Sequence, residues 1–223
     1  MLSRNAGLLL IAAAALFWLS WWLMPGVGVT DAAQIFELVA NKRSSVMLSI
    51  VVQLISSALY VPALLGIISA RSQSSDAGVR WGAGLLLLGA MGSAMDAVFH
   101  LVAYAMTMPG LELSSLLKVM AFMQGPGLRL VAPFIVSFFV GGVCLSIALS
   151  KKRAISKASA YLYLIAVGVA GVGGAAASRG LIAPRVVGLL VLAAVAISQA
   201  LLGLELFRAQ RPAAGTTMER YAI

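Results

Sequence analysis

The stretch WGAGLLLLGAMGSAMDAVFHLVAYAM, from Trp81 to Met106, decides the fold. A helix needs roughly 20 apolar residues to cross a hydrocarbon core of about 30 Å, and this run exceeds that length. It holds only two side chains that can carry charge near neutral pH, Asp96 and His100, and both sit well inside it. A soluble core helix of this length would carry a charged face, and this one has none. The stretch therefore predicts a membrane span with a polar spot within it.

Five more segments meet the same length test, at about 7–24, 45–69, 130–150, 158–177 and 185–207, with the third span at 81–106. Pro62 and Pro133 fall inside two of them, which membrane helices tolerate and which often marks a kink. The expected fold class is all-α: a polytopic membrane protein, a six-transmembrane-helix bundle with two short interfacial helices on the outer side. Residues 1–211 form the transmembrane domain and 212–223, which have no apolar face, a disordered cytoplasmic tail.

Composition agrees. Of 223 residues, 61% are hydrophobic and 10% charged, well under the roughly one quarter charged of a soluble domain. The net charge of +9 would suggest nucleic acid in a soluble protein, but here the bases stand at the ends of apolar runs, so no nucleic-acid partner is expected. The first run resembles a signal peptide in its leading Arg4, yet it has the length of a span and ends in Trp18, Trp21 and Trp22, an interfacial anchor. It is expected to be retained.

Counting bases by side sets the orientation. The N-terminal side carries Arg4, Arg71, Arg80, Lys151, Lys152, Arg153, Lys157, Arg208, Arg211 and Arg220. The other side carries Lys42, Arg43, Lys118, Arg129, Arg179 and Arg185. The excess places both termini in the cytoplasm.

The two longer outer connections follow Met24-Pro25-Gly26 and Met108-Pro109-Gly110, a layout that hints at a duplicated hairpin. In the first, Asp31 and Gln34 make a capping box, and Ile35, Phe36 and Val39 share a face. In the second, Leu113, Leu116, Leu117 and Met120 share a face and Gly125-Pro126-Gly127 is expected to stop the helix. These are the two interfacial helices.

A charge deep in a bilayer costs about 2.5–3.5 kcal/mol on insertion scales, so Asp96 and His100 need a reason to be there. Spaced i and i+4, they meet on one helix face, continued by Ser93 and Tyr104. Span 2 offers a matching stripe of Ser49, Gln53, Ser56 and Tyr60. Span 4 offers Ser137, Gly141 and Cys144, and span 6 Ser198 and Gln199. Arg129, at the outer entrance of span 4, either leans over this centre or anchors at the interface.

The candidate ligand- or proton-binding residues are thus Asp96, His100, Ser93, Tyr104, Gln53, Ser56, Tyr60, Gln199 and Arg129. Two readings fit the central pair: a proton-linked site in a binding or transport protein, or hydrogen-bonding glue that fixes helix packing. Glu205, three residues before Arg208, reads as a snorkelling acid with a local ion pair. Ala166, Ala170, Gly173, Gly174 and Ala177 give span 5 a small-residue face, suited to packing within the bundle or to a homodimer.

One cysteine and one histidine leave no set for an intrachain disulfide, bis-histidine haem or a multi-histidine metal site, so neither a metal nor a cofactor is expected. A serine nucleophile is poorly served, since Ser93 lies about 10 Å along the helix from His100. An enzyme is therefore not favoured.

The strings QLISSALYVPALLGI, AVFHLVAYA and GPGLRL resemble a loose set of bacterial six-span integral membrane proteins known only as a domain of unknown function. The resemblance covers about residues 7–207 in layout and implies the six-helix fold, with Phe99-His100 in span 3. It implies no activity, and Asp96 does not match its pattern. With the charge count it points to a multi-pass protein of the bacterial cytoplasmic membrane.

The function expected from these residues is binding or transport of a small molecule, lipid or proton-coupled solute at Asp96 and His100, with the bilayer as surroundings. The alternative is a non-catalytic accessory subunit packed against a second copy or another membrane protein.

Overall fold

A computed structural model describes residues 2–70 and 76–208. The segment 212–223, expected as a disordered tail, lies outside the described residues, as do Arg71, Arg211 and Arg220. Eight α-helices follow in order: α1 (Leu2–Leu23), α2 (Ala32–Asn41), α3 (Arg43–Ala70), α4 (Ala77–Met106), α5 (Leu113–Phe122), α6 (Leu128–Lys151), α7 (Lys157–Ser178) and α8 (Pro184–Arg208). No strand occurs among the described residues.

Among the described residues six helices are long and apolar enough to cross a membrane: α1, α3, α4, α5 continued into α6, α7 and α8. The protein is a multi-pass membrane protein. Each span packs on its neighbours in sequence, α1 on α3, α3 on α4, α4 on α6, α6 on α7, α7 on α8, and α8 back on α1. The six close into a ring whose middle is filled by aromatic rings. Phe138 stacks at 4.9 Å from Phe17 and meets Tyr60 edge-on at 5.5 Å.

Small residues set how closely this ring closes. A Cβ on Gly89 would stand 2.3 Å from the Phe138 Cα, and one on Gly141 2.3 Å from the Leu86 backbone nitrogen, so α4 and α6 touch backbone to backbone. Gly7 and Gly203 do the same for α1 and α8, each facing the other's carbonyl. Lipid supplies no hydrophobic drive between helices, so such close van der Waals contact is what holds them. Serines of α3 add hydrogen bonds to α1: Ser45 donates to the Leu23 carbonyl, Ser49 to that of Ser20 and Ser56 to that of Ala13.

Two ten-residue helices, α2 and α5, pack on each other at the end of the ring away from the termini, called distal below. Asp31 caps α2 by accepting from the Gln34 backbone N–H at 2.8 Å, and Ile35 and Val39 are its buried face. Of the four α5 residues expected to share a face, Met120 is fully buried while Leu113 is half exposed.

Gly125-Pro126-Gly127 does not stop α5. The helix widens into a π turn over Met123–Gly127 and runs on into α6, with the Leu128 N–H reaching back to the Met123 carbonyl. Pro126 lacks an N–H and its ring crowds the carbonyl four residues back; a wider turn absorbs both defects without ending the helix.

α6 and α7 end in the same way. Ala154 N–H bonds the Leu149 carbonyl and Arg153 N–H that of Ser150; Leu181 and Gly180 repeat the pattern on Ala176 and Ala177. This cap needs a left-handed residue, which is Gly180 (φ 71°) after α7 but Arg153 (φ 54°) after α6.

Candidate functional site

In the distal half of the ring the packing opens. A cavity of about 220 Å³ lies under the loop Gly26–Val29, α2 and the π turn, and Asp96 and His100 are in its wall. A second cavity of about 200 Å³ continues toward the aromatic core between α1, α4, α6 and α8. Asp96, Trp21 and Ile135 border both. Either space is ample for water molecules, each of which needs only about 10–15 Å³.

α4 brings Asp96 and His100 together, as the i, i+4 spacing requires, but they do not hydrogen-bond. Asp96 Oδ2 and His100 Nδ1 are 3.8 Å apart, with side chains 13% and 22% exposed. Gln53, reaching from α3, holds the carboxylate: its Nε2 donates to Asp96 Oδ2 at 3.0 Å and to the Ser93 carbonyl at 3.1 Å. A carboxylate can accept about four hydrogen bonds, and Asp96 receives this one. His100 Nδ1 has no partner and neither does Trp21 Nε1, although both atoms are buried. The two rings stand edge to face, centroids 5.8 Å apart.

Four of the expected site residues, Asp96, His100, Gln53 and Ser93, form one cluster. The other five do not join it. Tyr60 donates to Gln199 Oε1 and Gln199 Nε2 donates to the Tyr163 hydroxyl at 3.1 Å, making a separate, fully buried network deeper in the ring. Ser56 is spent on the Ala13 carbonyl at 2.8 Å. Tyr104 lies under the Arg43 guanidinium, 4.1 Å from its ring centroid, while Arg43 also bonds Thr107. Arg129 is exposed and borders neither cavity.

The stripes fan out because one face of a helix in a ring meets several neighbours. On α3, Ser49 and Ser56 turn to α1, Gln53 to α4 and Tyr60 to α8. In spans 4 and 6, Ser137 and Ser198 bond back to carbonyls of their own helices, those of Pro133 and Ala194.

Trp21 and Gln124 line the cavity without having been expected there. Trp21 read as an interfacial anchor with Trp18 and Trp22, which do stack on each other at 5.4 Å. The signal that separates it is the spacing of Leu10, Ala13, Phe17 and Trp21, one helical face of which the first three are buried. Gln124 was hidden by the apparent stop at Gly125-Pro126-Gly127. π turns often accompany functional sites, and this one carries Met123 and Gln124 into the cavity wall.

At the opposite end, Glu205 accepts from Ser156 Oγ at 2.8 Å, Ser159 Oγ at 2.6 Å and the Ser156 N–H. It ties the start of α7 to α8, and the Arg208 charge that the sequence paired with it also acts on its carboxylate. Among the described residues no three His, Cys, Asp or Glu side chains gather as a metal site would need.

No family model matches the chain, and neither a curated protein nor a solved structure does.

Proposed function

We propose that this protein binds a small molecule within the membrane, in the distal cavity walled by Asp96, His100 and Trp21, and that transport of that molecule is the activity the site serves. One observation carries the reading: three residues with unfilled hydrogen-bonding capacity stand together in the wall of one cavity. Asp96 accepts a single bond, and His100 Nδ1 and Trp21 Nε1 make none. A buried polar group left without a partner costs about 1–3 kcal/mol. Ser57 Oγ and Trp18 Nε1 are also unpartnered, each alone, whereas the Tyr60, Gln199 and Tyr163 network is fully paired; what distinguishes this place is that its unfilled groups stand together beside a cavity.

The Lys and Arg distribution supports an orientation with both termini in the cytoplasm, which puts the cavity on the outer side of a bacterial inner membrane. The accessory-subunit reading is favoured by a different feature, the exposed face of α7, where a Cβ on Gly168 or Gly174 would meet nothing within 4 Å.

A thermal-unfolding screen of the full chain in nanodiscs against small molecules separates the two. A ligand at 100 times its dissociation constant stabilises the folded state by about 2.7 kcal/mol. Ala103, 5% exposed, lines the cavity, so Ala103→Phe fills it. Compounds that stabilise the native chain and lose that effect in Ala103→Phe support the binding reading. If every stabiliser acts equally on both, or none is found, the accessory reading replaces it.

A further inference from the structure

The cavity has a chemical bias that narrows its ligand. We infer that it takes an N–H-bearing ammonium carried on a small apolar body, the nitrogen donating to Asp96 beside His100; the inference rests on the binding reading above.

Charge comes first. Asp96 and His100 are the only ionisable residues bordering either cavity, so no lysine or arginine offsets the carboxylate. Two bases of the distal end are committed elsewhere: Arg43 to Tyr104 and Thr107, and Arg185 to the Pro25 carbonyl at 2.8 Å. A carboxylate in apolar surroundings favours a cationic partner. A hard metal ion wants six or more oxygen donors, which these walls do not offer. An ammonium needs one carboxylate, and aromatic faces add to it; Trp21 and Phe99 both line the cavity.

Hydrogen bonding narrows the class to an ammonium that carries N–H groups. Asp96 Oδ2 and His100 Nδ1 are 3.8 Å apart, too far to bond each other. A protonated amine about 2.9 Å from Asp96 Oδ2 donates one N–H to it and has another for a second acceptor. His100 Nδ1 is covered in the empty cavity, so it becomes that acceptor by a turn of the imidazole about its second side-chain torsion, which also changes its distance from Asp96. That torsion is soft, and a ring 22% exposed has room to turn. A quaternary ammonium has the charge but no N–H, and an alcohol has one O–H but no charge. The apolar body then lies toward the second cavity, whose walls are Phe17, Phe138, Phe139 and Leu192 beyond Asp96.

The test uses the full chain in nanodiscs with Trp18, Trp22 and Trp81 changed to Phe, so that Trp21 emission reports on the cavity. Three probes of one shape are titrated: phenethylamine, phenethyl alcohol and trimethyl(phenethyl)ammonium. The expected result is a saturable Trp21 response with the primary amine binding at least about tenfold more tightly than either analogue, and Asp96→Asn erasing that preference. If the alcohol or the quaternary ion binds as tightly as the amine, the inference is overturned while the binding reading stands. If none of the three gives a saturable response, both fall. The comparison of the three probes in the chain that keeps Asp96 decides the matter even where Asp96→Asn does not fold.

Discussion

The Trp21 indole meets the His100 imidazole at an interplanar angle of 85°, and neither buried ring nitrogen has a hydrogen-bond partner. The pair stands where the aromatic filling of the ring ends and the distal cavity begins. Ser57 Oγ and Trp18 Nε1 are buried without partners as well, but neither residue lines this cavity. The Trp21 and His100 rings are the unmatched pair at the cavity wall, where we propose that a ligand binds.

Two buried polar contacts are expected to separate by function. Gln53→Leu removes the donor from Asp96, and Tyr60→Phe removes the donor from Gln199. Each should lower unfolding stability by about 1 kcal/mol. Only Gln53→Leu should change the response of Trp21 to a cavity ligand, because the Tyr60 network borders neither cavity. Equal effects on ligand response would mean the two networks act as one site.

Helix approach in the ring is set by glycine. Gly89→Ala puts a methyl group within 2.3 Å of the Phe138 backbone and should cost about 1–3 kcal/mol as α4 and α6 separate. Gly168→Ala meets nothing within 4 Å and should be neutral or stabilising by up to about 1 kcal/mol from helix propensity. Unfolding in mild detergent measures both; similar costs at the two positions would contradict the packing described.

These glycines also show what the sequence left unread. The six spans were legible because length and apolarity alone define them, and the helices start and stop within about five residues of the expected ends, except that the fourth continues back through the π turn to Leu113. The i, i+4 spacing likewise put Asp96 beside His100. Which stripe faced which was not legible. The rotation of α4 against α6 is fixed by where Gly89, Gly92 and Gly141 let backbones touch, a relation between distant segments that no periodicity within either one contains. Gln124 was missed for a related reason: a Gly-Pro-Gly run ends most helices, and the π turn that keeps this one going depends on α5 and α6 being held by their neighbours.

The α6 cap is expected to improve with glycine. Arg153 occupies a left-handed position (φ 54°) that costs an L-residue about 1–2 kcal/mol, and Gly180 fills the same place after α7. Arg153→Gly should raise stability by roughly 0.5–1 kcal/mol once the extra freedom of the unfolded chain is deducted. It also removes one base from the KKR cluster, so, on the orientation we propose, a topology assay on the same variant should show weaker retention of that loop on the cytoplasmic side. A loss of stability would show that the cap is held by something other than backbone geometry.

Glu112 begins α5, where it accepts hydrogen bonds from the Ser114 and Ser115 hydroxyls. These bonds, that from Ser114 foremost, hold its carboxyl below the usual glutamate value. A depressed carboxylate contributes order that is present above the unfolded value and lost as pH falls through the folded one. A spin label on α5 should therefore gain mobility on acidification below the ordinary glutamate range, and Glu112→Gln should remove that pH dependence. Mobility that tracks pH equally in Glu112→Gln would assign the effect elsewhere.

The central claim is that the space around Asp96 and His100 admits a small molecule. Single cysteines placed at Ala103 and at Ala63, in a Cys144→Ser background, compare the cavity wall with the sealed core, where Ala63 is 0% exposed. Reaction with methyl methanethiosulfonate in nanodiscs is the measurement. The account predicts labelling at 103 at least about a hundredfold faster than at 63, the second requiring local unfolding. Equal, slow labelling at both positions would contradict it and leave a closed bundle with no site.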